Sequence, residues 1–295
     1  MTLDRILLGI VQAVLSGILI GGIYGLFSTG FSLAFGVMRI VNFAHGEMVM
    51  IGMYTGFFIF TLTGIDPLYS APIGGIVVAA VGAILYVAFY RRFVGRATLQ
   101  QLLVGIALAL ILQVGAQLLF GPETRGLQSQ WGSRYLLIGS IFLSYAQIVA
   151  FVVAVVIVLL VELVLSRTRW GQSIRAIADD METAELVGID SSRRNIGAFA
   201  LACGLAGIAG GILVTYYPVS PTVGFTLIPI ALIAVVLGGL GSVGGTFVGG
   251  IIAGIVQQMT GVLWTTALQN IPLYVLLLLF LAFRPYGLFG RHSAH

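Results

Sequence analysis

Apolar residues dominate this chain in runs of about twenty, each closed by a short polar break, and strict apolar-polar alternation is absent over most of its length. A helix needs roughly that many residues to cross a hydrocarbon layer about 30 Å thick, because it rises about 1.5 Å per residue. The pattern predicts spans over 6–28, 30–62 with a break near Asn42, 71–90, 99–120, 141–165, 196–217, 227–262 with a break at its glycines, and 271–283. The fold class is therefore all-α, a polytopic helical bundle with about eight spans, or roughly ten passes when the halves of broken segments are counted apart. One long polar stretch, 166–194, interrupts the pattern; otherwise residues 1–295 read as a single transmembrane domain.

Charge gives the spans a direction. Arg91, Arg92 and Arg96 follow the third run, five arginines lie in 166–194, and Arg284 and Arg291 close the chain. Cytoplasmic loops carry the excess of basic residues, which puts all three groups and the C-terminus in the cytoplasm. The loops at 121–140, with Pro122, Glu123, Trp131 and Tyr135, and at 217–226, with Pro218 and Pro221, then face outward. An odd number of crossings must separate an outward 217–226 loop from an inward C-terminus, so the glycine-rich 227–262 segment holds two passes. If Arg5 is also inside, residues 30–62 must enter from outside, turn near Asn42 and return. The apolar stretch from Ile6 is too long for a signal-peptide core and lacks a small-x-small cleavage site, which makes it a retained helix.

Composition narrows the chemistry. Hydrophobic residues make up 59% and charged residues 8% of the chain, against about 25% charged in an average soluble domain, so lipid is the outer solvent. All 14 basic residues are arginine. Without lysine there is no G-x-x-x-x-G-K-[ST] phosphate loop and no Schiff base, so any nucleotide hydrolysis must come from a partner, and neither cofactor nor catalytic residue is expected here. Cys203 stands alone in an apolar run, as a small packing residue. The formal charge of +4 comes from arginines beside apolar runs, with no basic stripe carrying interleaved aromatics, which argues against nucleic acid.

Small residues recur every fourth position: Gly9, Ala13, Gly17, Gly21, Gly25; then Ala198, Ala202, Ala206, Gly210; then Gly241, Gly245, Gly249, Ala253. Such rows let helix backbones approach closely in lipid, where no hydrophobic drive brings helices together. They read as packing faces, or as faces that line a path or slide. The shared turn-plus-glycine character of 42–56 and 238–254 hints at an internal repeat.

Two constellations carry the function. Arg39, Asn42, His45 and Glu47 cluster at the turn of two apolar segments, where polar groups are costly unless they find internal partners or water. They form either a polar pore element or clamp, or a set of caps for a broken helix with Arg39 at the cytoplasmic edge. One histidine and one carboxylate are too few ligands for a metal site.

The second constellation is the 166–194 stretch. It reads as a capped helix over 173–188, with Ser173 as N-cap and Gly188 ending it in the left-handed conformation. Ile174, Ile177, Ala178, Met181 and Ala184 fall on one side, and Arg175, Asp179, Glu182 and Glu185 stay polar. A lipid-surface helix should be basic on its polar face; this one is acidic, which favours a protein partner over the membrane surface. Replacing Ile177 and Met181 by Asp is then expected to uncouple that partner while leaving the chain in the membrane.

Three segments, Asn42 to Tyr54 (NFAHGEMVMIGMY), Gly171 to Asp190 (GQSIRAIADDMETAELVGID) and Gly238 to Gly250 (GGLGSVGGTFVGG), resemble the LivH-type permease subunits of branched-chain amino acid ABC importers. The resemblance implies a bacterial inner-membrane subunit that pairs with a second permease, a paralogue or a copy. It also implies two cytoplasmic ATP-binding subunits and a periplasmic substrate-binding protein. On this likeness 171–190 is the coupling loop, with Ala184, Glu185 and Gly188 at the positions where such loops carry an alanine, an acid and a glycine. Relatives that carry urea, short amides or aromatic carboxylates share these features. An ion-driven secondary transporter would need intramembrane ionisable groups, for which only 39–47 qualifies, and an enzyme is poorly served by three histidines, two of them in the C-terminal tail.

Overall fold

The computed structural model describes residues 3–265, 268–284 and 287–289; Arg291 and the tail histidines His292 and His295 lie outside them. The described residues form α1 Leu3–Met38, α2 His45–Thr63, α3 Pro67–Ala88, α4 Thr98–Phe120, a hairpin of β1 Tyr135–Ile138 and β2 Ile141–Ser144, α5 Tyr145–Arg167, α6 Arg169–Asp179, α7 Met181–Leu186, α8 Ser191–Leu213, α9 Val223–Gly238, α10 Val243–Leu263 and α11 Ile271–Phe283. Seven helices are long and apolar enough to cross a membrane, and α9 and α11 are shorter apolar helices. The architecture is the expected polytopic helical bundle. As parity required, the 227–262 segment holds two helices, α9 and α10, joined by a turn at 239–242.

Local chemistry sets the helix ends. Gly64, at φ 75°, stops α2 in the left-handed conformation that a side chain disfavours. Asp66 then caps α3, its carboxylate accepting from Leu68 N at 3.1 Å, with Pro67 in the first turn where a missing N–H loses nothing. The hairpin turns at Gly139 and Ser140 and occupies 141–144, so α5 starts at Tyr145 and not at 141.

The first two spans differ from expectation. No break falls between 28 and 30: Thr29 folds its hydroxyl back onto Gly25 O at 2.8 Å, and α1 continues for 36 residues, about 54 Å. Arg39 then takes a left-handed φ of 52°, the chain doubles back through 39–44, and α2 begins with His45 beside Phe27 and Gly30, well above the end of α1. Phe142 N donates to Gln12 Oε1 at 2.9 Å, and Gly9 lies against Val262 at the far end of α10. One end of the bundle therefore gathers the start of α1, the hairpin, and the ends of α8 and α10. Arg39, Arg91–Arg96, Arg167–Arg194 and Arg284 gather at the other. The start of α1 thus sits opposite the arginine clusters, and the route drawn for an inward Arg5 does not occur.

Two antiparallel pairs frame the bundle, α1 with α10 and α3 with α8, and α2 and α9 pass between them. Glycines make both pairs possible. A Cβ at Gly17 or Gly21 would lie 2.6 Å from the Ile255 or Ile251 Cα, and one at Gly82 would lie 2.6 Å from Cys203 Sγ. Exchanging α1 with α8, α2 with α9, α3 with α10 and α4 with α11 maps this packing scheme onto itself, the arrangement of an inverted repeat. In that repeat α2 corresponds to α9. The segments that share glycine-rich turns, 42–56 and 238–254, are not the symmetry partners.

Candidate functional site

The turn at 39–44 feeds α2 into the middle of the bundle, and each polar residue of the cluster meets a different environment. Asn42 is buried, and its Oδ1 accepts from the Tyr90 hydroxyl at 2.6 Å, tying the turn to the end of α3. His45 Nε2 lies 2.8 Å from Phe27 O. A carbonyl only accepts, so Nε2 carries the proton, and Nδ1 is left as a buried lone pair without a partner. Arg39 is exposed at the arginine-rich end.

Glu47 behaves differently. It is 1% exposed, its Oε2 has no hydrogen-bond partner, and its carboxylate lies over the first turn of α9, where a Cβ on Gly224 would be 2.5 Å from it. The start of α2 abuts the same turn, because a Cβ on Gly46 would sit 2.3 Å from Gly224 O. Two helix N-termini, neither capped by a side chain, thus meet at one carboxylate deep in the bundle. Their partial positive charge favours that anion. A cavity of about 160 Å³ borders it, lined by Phe43, Glu47, Ile106, Ala109, Gly224, Phe225 and Ile228. The four candidates therefore do not converge on one site: Asn42 and His45 clamp helices, and Glu47 faces space. No group of three or more His, Cys, Asp or Glu positioned for a metal occurs among the described residues.

Because the Asn42–Tyr90 bond is buried, Tyr90→Phe strands a carbonyl oxygen. Such an orphan costs about 1–3 kcal/mol. Detergent-solubilised Tyr90→Phe is expected to melt several degrees below the parent in a thermal-shift measurement, and an unchanged midpoint would contradict the clamp.

At the arginine-rich end the expected single helix is two. Thr168 caps α6, its hydroxyl accepting from Gly171 N at 3.1 Å, and Ser173 lies inside α6 with its hydroxyl donating to Arg169 O. Asp180 breaks the run by capping α7, accepting from Thr183 N at 3.1 Å and from the Thr183 hydroxyl at 2.6 Å. Gly188, at φ 89°, ends α7 with paired bonds, Ile189 N to Ala184 O and Gly188 N to Glu185 O, each 3.0 Å. This is the Schellman arrangement.

The break reorients the stripe. Ile174, Ile177 and Ala184 are buried against the chain's own helices, at 1%, 3% and 3% exposure, so they are not available to a partner. Ile177→Asp would bury a carboxylate and damage the fold, contrary to the expectation that it spares the chain. Arg175 Nη2 donates to Ser166 O at 3.0 Å, and Glu185 accepts from the Ser191 hydroxyl, so both brace the loop. Exposed instead are Leu186 at 88% and Val187 at 73%, beside Met181 and Glu182. Leu186 and Val187 were missed because a continuous 173–188 helix turns them off the stripe; two apolar residues directly before a terminating glycine were the available signal.

Hydrogen bonds from the Thr183 hydroxyl and N–H hold the Asp180 carboxyl below the usual carboxylate range. A depressed folded value means the cap stabilises α7 above the ordinary aspartate range and is lost as pH falls through the folded value. Asn caps without titrating. Amide exchange at Thr183 in the wild type is therefore expected to accelerate relative to Asp180→Asn only under strong acid; divergence at neutral pH would contradict this.

Glycine positions complete the picture. Gly245 and Gly249 face α9, where a Cβ would meet Gly238 O at 2.3 Å and Ala234 O at 2.1 Å, whereas Gly241 lies in the turn before α10 at φ 82°. Residues 13–281 match the family model described as "Branched-chain amino acid transport system / permease component". The chain belongs to this family. It is a transport permease component, one part of a transport system, and not an enzyme. The permease is 30% identical over 293 residues to the high-affinity branched-chain amino acid transport system permease protein BraD of Pseudomonas aeruginosa, covering 95% of each chain. It is 31% identical over 294 residues to LivH of Escherichia coli (strain K12), again over 95% of each. A probable branched-chain amino acid transport permease of Methanocaldococcus jannaschii is 28% identical over 239 residues, 79% of the permease and 76% of the relative. No solved structure matches the permease significantly.

Proposed function

We propose that this permease forms half of the channel of an ATP-driven importer for branched-chain amino acids. It pairs with a second permease subunit, engages two cytoplasmic ATP-binding subunits through α6 and α7, and receives its substrate from a periplasmic binding protein. The observation that carries this reading is the surface made by Met181, Glu182, Leu186 and Val187: apolar, edged by acids, and held out between α5 and α8 at the arginine-rich end. Nothing among the described residues covers it, and lipid headgroups favour basic partners over acidic ones. Cytoplasmic loops concentrate arginine, so this end is read as cytoplasmic, with the C-terminus, in a bacterial inner membrane. The hairpin end, with the start of α1, then faces the periplasm. When the ATP-binding subunits close on nucleotide, α6 and α7 move with them and tilt α5 and α8, which alternates access to the channel. The branched-chain substrate class follows the full-length relatives, BraD and LivH, whose names carry it.

Affinity purification from the native membrane, followed by identification of what co-purifies, tests the assembly. An ATPase subunit, a second permease and a binding protein that takes up leucine, isoleucine or valine in a ligand screen are expected. Co-purification of none of them, with uptake by the isolated chain, would overturn the reading.

A further inference from the structure

Resting on the importer reading, we infer that the flank between α4 and α9 faces the translocation path, and that Glu47 is the group there that receives the ammonium of the passing amino acid. The cavity beside Glu47 is bounded by α2, α4 and α9. Its rim is open: Ile106 of α4 is 39% exposed and Phe225 of α9 is 48% exposed.

A carboxylate behind such a mouth is not left to hydrocarbon, because an ionisable group in the membrane persists only where protein or water meets it. Every other polar residue of the 39–47 turn is engaged with another part of the chain or lies exposed at its end. Glu47 alone combines a buried oxygen without a partner, Oε2, with a place in the cavity wall. The remaining lining residues offer no second charge: Phe43, Ile106, Ala109, Phe225 and Ile228 are apolar. One acceptor for a cationic group, surrounded by aliphatic and aromatic walls, suits the ammonium end and hydrocarbon side chain of an apolar amino acid.

The test uses the complete assembly with Cys203→Ala and Phe225→Cys. Water-soluble thiol reagents of opposite charge, one cationic and one anionic methanethiosulfonate, are compared by their rates of modification. The cationic reagent is expected to react several-fold faster, leucine delivered by the binding protein is expected to slow it, and Glu47→Gln is expected to remove the preference. Uptake by Glu47→Gln is expected to fall at least about tenfold while Glu47→Asp keeps part of it. If Phe225→Cys is inert to both reagents, or the rate ratio is the same with and without Glu47→Gln, the inference is overturned even where wild-type uptake is intact. Should Glu47→Gln fail to assemble, the charge preference and leucine protection with Glu47 in place decide alone. Absence of ATP-driven uptake in the wild type would instead remove the importer reading beneath it.

Discussion

Gly250→Val is expected to abolish accumulation of the folded permease. A Cβ at this position would lie 2.2 Å from Gly25 N and 2.3 Å from Gly25 Cα, and backbone atoms cannot step aside as a side chain can. The α1–α10 contact is built from such approaches along its length, at Gly17, Gly21, Gly25, Gly250 and Gly254, so separating the helices at one point opens the neighbours too. Inserting even a methyl group into a well-packed interior costs about 1–3 kcal/mol, and a branched side chain against two rigid backbones exceeds that. Without a hydrophobic drive between helices in lipid, nothing else restores the pair. Gly244 sits at the start of the same helix with nothing within 4 Å of its Cβ direction. Gly244→Ala should therefore accumulate normally. Membrane content by immunoblot and monodispersity in detergent report both, and equal accumulation of the two variants would contradict the packing account.

Leu186→Asp combined with Val187→Asp should lower ATP-dependent uptake at least tenfold, roughly the effect of losing about 1.4 kcal/mol of coupling, with membrane content unchanged. The two side chains project into solvent, so charge there has no folding penalty inside the subunit. In an interface the same charges would be buried without partners. Ile177→Asp serves as the contrast: at 3% exposure it should reduce the amount of folded protein instead. Normal uptake by the double variant would remove the docking role from this surface.

Much of the fold was legible in the residues because membrane helices announce themselves by length and apolarity. The division of 227–262 into two helices was expected from parity, and the stops at Gly64, Gly188 and the glycine turn 239–242 follow from residues that favour positive φ. What composition did not reveal was depth. The segment 28–30 reads as a polar break, yet in a helix a threonine hydroxyl is satisfied by the carbonyl four residues back, so Thr29 interrupts nothing. Likewise Asp180 is one more acid on a presumed helix face, but a short carboxylate that reaches Thr183 N ends one helix and starts another. That single cap divides the expected helix into α6, which buries Ile177, and α7, which ends on the exposed Leu186. In the 39–47 cluster the residue types pointed to a polar element at a break, which the chain has, but the distribution of partners is a tertiary fact. Tyr90, Phe27 and Gly224 come from three other helices, and no spacing connects them to Asn42, His45 and Glu47.

The central claim is that this chain conducts an amino acid through a channel opened by ATP hydrolysis elsewhere. Its most direct test is radiolabelled leucine uptake into proteoliposomes that contain the permease with its co-purifying subunits and are supplied with the binding protein. Uptake that requires internal ATP and is indifferent to dissipation of ion gradients is the expected result. Uptake by the permease alone, driven by a proton or sodium gradient without nucleotide, would contradict it.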